Sequence, residues 1–172
     1  GFILDDFMED YFNKPIVIAL ALIVYGVAFI YIERAHKNVE PKINDFKELD
    51  FMTAIKIGLF QCLALVPGTS RSGSTILGGL LVGTSRSIAT EFSFFMGIPI
   101  MFGASGLKLL KFGFHYSLAE FVILLVGSVV SFVVSLFVIK FLLRYIKQHD
   151  FQAFGWYRIA LGIIVLGSLF FK

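Results

Sequence analysis

Between Lys56 and Arg86 the chain carries one charge, Arg71. Fourteen uncharged residues, Ile57–Ser70, precede it, and fourteen more, Ser72–Ser85, follow. As one helix these 29 residues would be about 43 Å long, against a hydrocarbon core of about 30 Å. Pro67–Gly68 also breaks a helix near the midpoint. Each half alone is about 21 Å, too short to cross a bilayer comfortably. The economical solution is a re-entrant helix hairpin over 51–87, with the PGTSRSG segment (67–73) turning at membrane depth.

The membrane setting follows from composition. The 172 residues are 58% hydrophobic and 16% charged, whereas soluble domains average roughly 45–50% apolar and about 25% charged. The net charge of +3 is too small to imply nucleic acid. Cys62 is the single cysteine, so no internal disulfide forms, and a small buried apolar role is expected for it. The chain starts at Gly1, with Asp5, Asp6, Glu9 and Asp10 following. That is no signal peptide, and the expectation is that a natural N-terminal part precedes it.

The predicted fold class is all-α and polytopic, with about four spanning helices plus the re-entrant hairpin. The spans fall at 16–32, 88–110, 118–143 and 154–171. Tyr11, Tyr25, Tyr31, Trp156 and Tyr157 are candidate interface anchors. Pro99 predicts a kink in the second span. Gly127, Ser131 and Ser135 form a small-residue stripe suited to close helix packing. Arg158, one turn inside its span, is placed to snorkel toward headgroups. Glu33–Asp50 reads as a polar loop carrying Arg34, Lys37, Lys42 and Lys47, and 140–150 carries Lys140, Arg144 and Lys147. The positive-inside rule puts both on the cytoplasmic side, with Lys108 and Lys111 opposite. The 51–87 region must then cross an even number of times or not at all. A hairpin and two short full spans both satisfy this, and both termini lie outside.

A charge at membrane depth is costly and marks function by default, and irregular backbone there needs protein or a water-filled cavity around it. Gly68 and Gly73 permit a sharp turn and close backbone approach. Successive N–H groups at such a turn form an anion nest. Ser72, Ser74 and Thr75 can open the second half-helix, whose N-terminus carries partial positive charge. Arg71 adds a fork matched to phosphate oxygens, and Thr69, Ser70 and Ser72 add hydroxyl donors. Together these parts bind phosphate. The bland alternative is a broken helix whose arginine pairs with Glu91 or with carbonyls. Gln61 either points into the same pocket or packs as a helix amide; Glu91 is either a helix N-terminal charge or a partner of Arg71. Catalysis is less complete. A serine nucleophile needs a base, and His36, His115 and His149 all fall in predicted loops. No carboxylate pair at i, i+4 lies in a membrane segment, so no Mg²⁺ or Ca²⁺ site is evident.

The stretches "GLFQCLALVPGTSRSGSTI" (58–76) and "RSIATEFSFFMGIPIMFGAS" (86–105) resemble the second signature, and the segment after it, of the bacterial undecaprenyl-diphosphate phosphatases, the bacitracin-resistance family. The resemblance runs from the first span nearly to the end. It implies a multi-pass enzyme of the bacterial plasma membrane, built from two inverted repeats. That enzyme removes one phosphate from a polyprenyl diphosphate lipid, recycling the carrier for peptidoglycan synthesis, at a site facing the periplasm or outer side. It implies catalytic roles for Arg71 and Ser70, with substrate held by Gly68, Thr69, Ser72, Gly73, Ser74, Thr75 and Gln61. The family's glutamate-rich E-x-x-x-E stretch and the histidine after a serine-rich loop do not occur here. Those acids go with a divalent cation, Mg or Ca, whose ligands are therefore not expected in this chain. By this resemblance the chain is the C-terminal portion holding the second repeat, inactive alone. A second copy is retained as a candidate partner.

Two other readings stand beside this one. Broken helices aimed at anions are also transporter architecture, so a transporter or flippase for a phosphorylated lipid or small anion is the first alternative. A structural subunit using Arg71 only for packing is the second. The seven small or hydroxyl residues within 68–75 argue against it.

Overall fold

The computed structural model describes residues 14–37, 39–112 and 117–170. Tyr11, the acidic 5–10 stretch and His115 lie outside the described residues. The architecture is all-α: α1 Pro15–Ala35, α2 Phe51–Gln61, α3 Arg71–Leu81, α4 Arg86–Phe112, α5 Leu118–Gln148 and α6 Gln152–Phe170. Short 3-10 turns cover Phe46–Glu48 and Cys62–Leu65. Four of the helices, α1, α4, α5 and α6, are long and apolar enough to cross a membrane. At 1.5 Å per residue, α1 is about 31 Å long, close to the hydrocarbon thickness.

Local sequence explains the ends. Pro15 opens α1, where a missing N–H costs nothing. The Asp50 carboxylate accepts from the Thr53 N–H at 2.9 Å and caps α2. Bonds from Thr53 hold the Asp50 carboxyl below the ordinary carboxylate range. Ser117 and Glu120 form a capping box at the start of α5. Pro99 lies inside α4, which continues through it to Phe112.

Helices α1 and α6 run antiparallel and pack most closely. A Cβ on Gly26 would fall 2.7 Å from the Gly155 carbonyl oxygen, and one on Gly162 would fall 2.9 Å from that of Ala19. Small residues seven apart on each helix thus bring the two backbones together. The stripe predicted on α5 does not do this. Nothing lies within 4 Å of a Cβ at Gly127, and Ser131 and Ser135 are exposed. Among the described residues α5 faces outward over nearly its whole length because only its C-terminal end reaches the core at Ile146.

Helices α2 and α3 fold back on each other, with Phe60 against Gly78. Their open ends are tied where Lys42 and Ile43 donate to the Gly83 carbonyl at 2.9 and 3.1 Å, and Ser85 donates to Ile43 at 2.9 Å. Gly83 turns there at φ 95°, the left-handed region that suits glycine.

Glu33 corrects the predicted loop boundary. It lies in the last turns of α1, only 2% exposed. Its carboxylate accepts from Arg86 Nη2 at 2.5 Å and from Arg86 Nε at 3.0 Å, and from the Phe151 N–H at 3.2 Å. A charge is tolerated there because one arginine and one backbone donor meet it. Cys62 also departs from expectation: it is exposed, because the backbone there has already left α2 for a 3-10 turn.

Removing the Glu33 side chain should strand Arg86. We expect Glu33→Ala to cost about 1–3 kcal/mol of stability, because the buried Phe151 N–H loses its acceptor, read as a lowered denaturant midpoint, with Glu33→Gln milder because its amide oxygen still accepts from Phe151. An unchanged Glu33→Ala midpoint would refute the role of this pair. Overpacking at the seam is a separate test. Gly155→Val should lower stability by about 1–3 kcal/mol, while Gly167→Val, which meets nothing within 4 Å, should leave the melting transition in place.

Candidate functional site

The α2–α3 connection builds the site. Gly68 adopts φ 93° and Ser70 adopts φ 68°. Ser70 is the only non-glycine residue with positive φ among those described, and such backbone is strained. A Cβ on Gly68 would fall 2.7 Å from the Ile18 carbonyl oxygen of α1, so glycine is required there for space as well as for φ. Thr69 is buried, and its hydroxyl donates to the carbonyls of Leu63 at 3.1 Å and Val66 at 2.8 Å. The strained residue then caps α3: the Gly73 N–H donates to Ser70 Oγ at 3.3 Å. Ser70, rather than Ser72, Ser74 or Thr75, is therefore the residue that opens the second helix. Arg71 is its first helical residue.

The predicted site residues separate into groups. Ser70, Ser72 and Gly73 line a cavity of about 220 Å³, together with Thr90 and Ser93 of α4 and Tyr157 and Arg158 of α6. Ser74 and Thr75 are instead buried. The Thr75 hydroxyl lies 2.7 Å from that of Ser93 and donates back to the Arg71 carbonyl at 2.8 Å, so it locks α3 to α4. Arg71 Nη1 donates to the Ser93 carbonyl at 3.1 Å, and its guanidinium packs on Gly97, whose Cβ would fall 2.7 Å from Nη2. It is not part of the cavity wall. Gln61 ends α2 with its side-chain oxygen buried and unpartnered. Glu91 does not reach Arg71. It accepts from Ser87 at 3.1 Å, and two residues along a helix turn it about 200° away from Ser93.

Arg158 is the residue that sequence reasoning misassigned. It points inward rather than toward headgroups. Its Nη2 donates to the Gly68 carbonyl at 2.6 Å and to the Thr69 carbonyl at 3.0 Å. The Tyr25 ring lies 5.8 Å from its guanidinium carbon. Arg158 Nε is buried without a partner. The reason is geometric: the close α1–α6 seam carries this face of α6 against the turn. Thr90 and Ser93 were also missed, although their spacing with Gly97 puts all three on one face of α4. His36 and His149 bond the carbonyls of Ile32 and Tyr145 at helix ends, away from the cavity.

The depth of the turn follows from its neighbours. Gly68 meets α1 at Ile18 and Ala21. Ser93 and Gly97 lie roughly 10–16 Å along α4 from Arg86, and Arg158 about 9 Å along α6 from Gln152. The hydroxyl cavity is thus level with the interior of three long apolar helices. No cluster of three or more His, Cys, Asp or Glu residues occurs among the described residues.

Fold and site define a class: a multi-helix membrane protein with a broken-helix turn that presents hydroxyls, a helix N-terminus and two arginines. The family profile described as "Bacitracin resistance protein BacA" matches residues 1–164, and the chain belongs to that family. It is 56% identical over 169 residues to an undecaprenyl-diphosphatase of Streptococcus thermophilus (strain CNRZ 1066), covering 96% of this chain and 59% of the relative. It is 52% identical over 175 residues to one of Enterococcus faecalis (strain ATCC 700802 / V583), covering 100% and 63%. Undecaprenyl-diphosphatase 1 of Clostridioides difficile (strain 630) is 56% identical over 170 residues, covering 99% and 61%. The chain therefore spans about three-fifths of the length of these relatives.

If Arg158 holds the turn, its loss should loosen the backbone there. Two hydrogen bonds from a charged donor, each worth about 1.5–3 kcal/mol, translate into at least about tenfold faster amide exchange at residues 69–73 in Arg158→Met. Exchange as slow as in the wild type would show that the turn holds itself.

Proposed function

We propose that this chain binds the diphosphate of undecaprenyl diphosphate at the α3 N-terminus and takes part in releasing its terminal phosphate. Water adds to the terminal phosphorus as the bridging P–O bond breaks, leaving the monophosphate lipid for reuse in cell-wall synthesis. The observation that carries this is the hydroxyl- and arginine-lined cavity at the capped start of α3, set among helices long and apolar enough to cross a membrane. Ser70 and Ser72 offer hydroxyl donors, and the helix N-terminus favours negative charge. Arg158 lines the cavity, and Arg71 stands just outside its wall on the first turn of α3, where its donors beyond the one given to Ser93 add positive charge next to the phosphoryl oxygens. Placed in a bacterial plasma membrane, α2–α3 is a re-entrant hairpin and the cavity opens to the outer side. The tie between Ile43 and Thr84 at the open end supports the hairpin.

Residues 1–172 span about three-fifths of the length of the relatives. Residues 1–172 on their own are accordingly proposed to bind and polarise the diphosphate without releasing phosphate.

The test uses the polypeptide carrying this sequence at the full length of its relatives. Arg71→Ala should reduce phosphate release from undecaprenyl diphosphate by at least about a hundredfold, with Arg71→Lys retaining part of it. Full turnover by Arg71→Ala would sink the assignment. A wild type that releases no phosphate but moves labelled lipid across vesicles would establish transport instead.

A further inference from the structure

A second cavity, of about 600 Å³, lies where α1 ends and α4 begins. It shares no wall residue with the hydroxyl cavity. Helix α3 runs from one to the other, with Ser72 and Gly73 at the first and Leu80 and Leu81 at the second, about 12 Å along its axis. Lys37, Lys42 and Arg86 reach the wall from three separate segments, with His36 beside them. Arg86 spends Nε and Nη2 on Glu33, so that pair is neutral, and Nη1 is kept. The wall holds one other carboxylate, Glu40, and neither lysine forms an ion pair among the described residues. One positive charge is therefore left unmatched. These groups are held before any ligand arrives. The Lys42 N–H donates to the Gly83 carbonyl at 2.9 Å. Its side-chain stem lies over Gly83, 3.5 to 3.6 Å from where a Cβ would stand. His36 bonds the Ile32 carbonyl through Nδ1 at 2.9 Å, which leaves Nε2 for another partner. Thr84 is in the same wall and 3% exposed, and its buried hydroxyl has no partner among the described residues. Buried hydroxyls are almost always bonded, so a donor stands in reserve there.

We infer that this cavity binds the phosphate group of an anionic membrane lipid, with Lys37, Lys42 and Arg86 as its cationic contacts. The site is separate from the diphosphate cavity and does not depend on what that cavity takes. Helix α1 is about as long as the hydrocarbon core is thick, so groups just beyond its last turn stand at headgroup level when it spans. Basic pockets between membrane helices take lipid headgroups by this chemistry. The cations share the wall with Val39 and Leu81, both aliphatic and exposed. A lipid phosphate with acyl chains nearby uses both kinds of group, whereas inorganic phosphate uses the cations alone. Among the described residues no aromatic ring stands in the wall to stack a nucleobase. An anion held here joins the end of α1 to Lys42 and to the start of α4. That is the open end of the α2–α3 hairpin, already closed by the bridge between Ile43 and Thr84. Occupancy therefore also stabilises the fold by mass action.

The experiment uses the polypeptide at the full length of its relatives, in detergent. It is titrated with dioleoyl phosphatidylglycerol, dioleoyl phosphatidylcholine or inorganic phosphate, and native mass spectrometry counts bound lipid. Phosphatidylglycerol should bind at least about fivefold more tightly than phosphatidylcholine, and it should raise the melting temperature more. Lys37→Gln and Lys42→Gln should each weaken phosphatidylglycerol binding by about fivefold, the effect of one basic contact at a membrane surface. Together they should erase the preference. Lys47→Gln, outside the cavity, and Arg71→Ala, beside the other one, should leave it unchanged. A preference that survives in the double variant, or that falls equally in Lys47→Gln, would overturn the site. Loss of binding in Arg71→Ala would place the lipid in the hydroxyl cavity instead. Inorganic phosphate that displaces the lipid at equal concentration would make this a soluble-anion site. Either result overturns the lipid assignment. Should the double variant melt early in phosphatidylcholine, Lys42→Arg separates charge from folding: it should keep the preference that Lys42→Gln loses, and its loss there would count against the site. None of these readings needs phosphate release, so a failure of the hydrolytic reading leaves them intact.

Discussion

The Glu33 carboxylate is the interaction on which the arrangement depends. It stands near the end of α1 and joins the first residue of α4 to the backbone entering α6. Exposed ion pairs contribute little, but this one is buried on the carboxylate side. Leaving that carboxylate unmatched there costs several kcal/mol. The pair therefore acts as a geometric restraint: three long helices meet at a shared point, α1 at its end and α4 and α6 at their starts. From that point α4 brings Ser93 and Gly97 to one side of the turn, and α6 brings Arg158 to the other. The distance from the charged end to the cavity is then set by helical rise alone.

Much of the architecture was legible in the sequence because long uncharged runs leave few options. Helices wide enough to cross a membrane, a break at Pro67–Gly68 and short helices on either side all follow from charge spacing and one proline. What was not legible depends on which faces meet. Small residues at i, i+4 on α5 looked like a packing stripe, whereas the observed seam uses Ala19 and Gly26 against Gly155 and Gly162. A spacing of seven was present on both helices. The signal was the pairing of two such spacings on different helices, which a search along one segment does not reveal.

The same limit explains the site. Residues contiguous with the break, Gly68 to Thr75, were recognisable by composition, but their roles diverge once α3 forms. With a period of 3.6, Ser72 faces the cavity while Ser74 and Thr75 turn toward neighbouring helices. Thr75 serves packing, and its hydroxyl is fully used by Ser93 and its own helix. Glu33 was hidden differently. A glutamate at the end of an apolar run reads as the start of a loop, and its partner Arg86 lies 53 residues away.

Arg158 changes the meaning of Arg71. A turn with Gly68 and Ser70 at positive φ exposes carbonyl oxygens as well as N–H groups. In a low-dielectric setting, unpaired carbonyls of Gly68 and Thr69 would repel an anion. Arg158 takes both carbonyls, which removes the repulsive half of the turn's dipoles and leaves the donor half facing the cavity. Arg71 leans the other way, onto Ser93 and Gly97. The two arginines thus divide the work: one sets the polarity of the backbone, and the other stays next to the cavity with unspent donors.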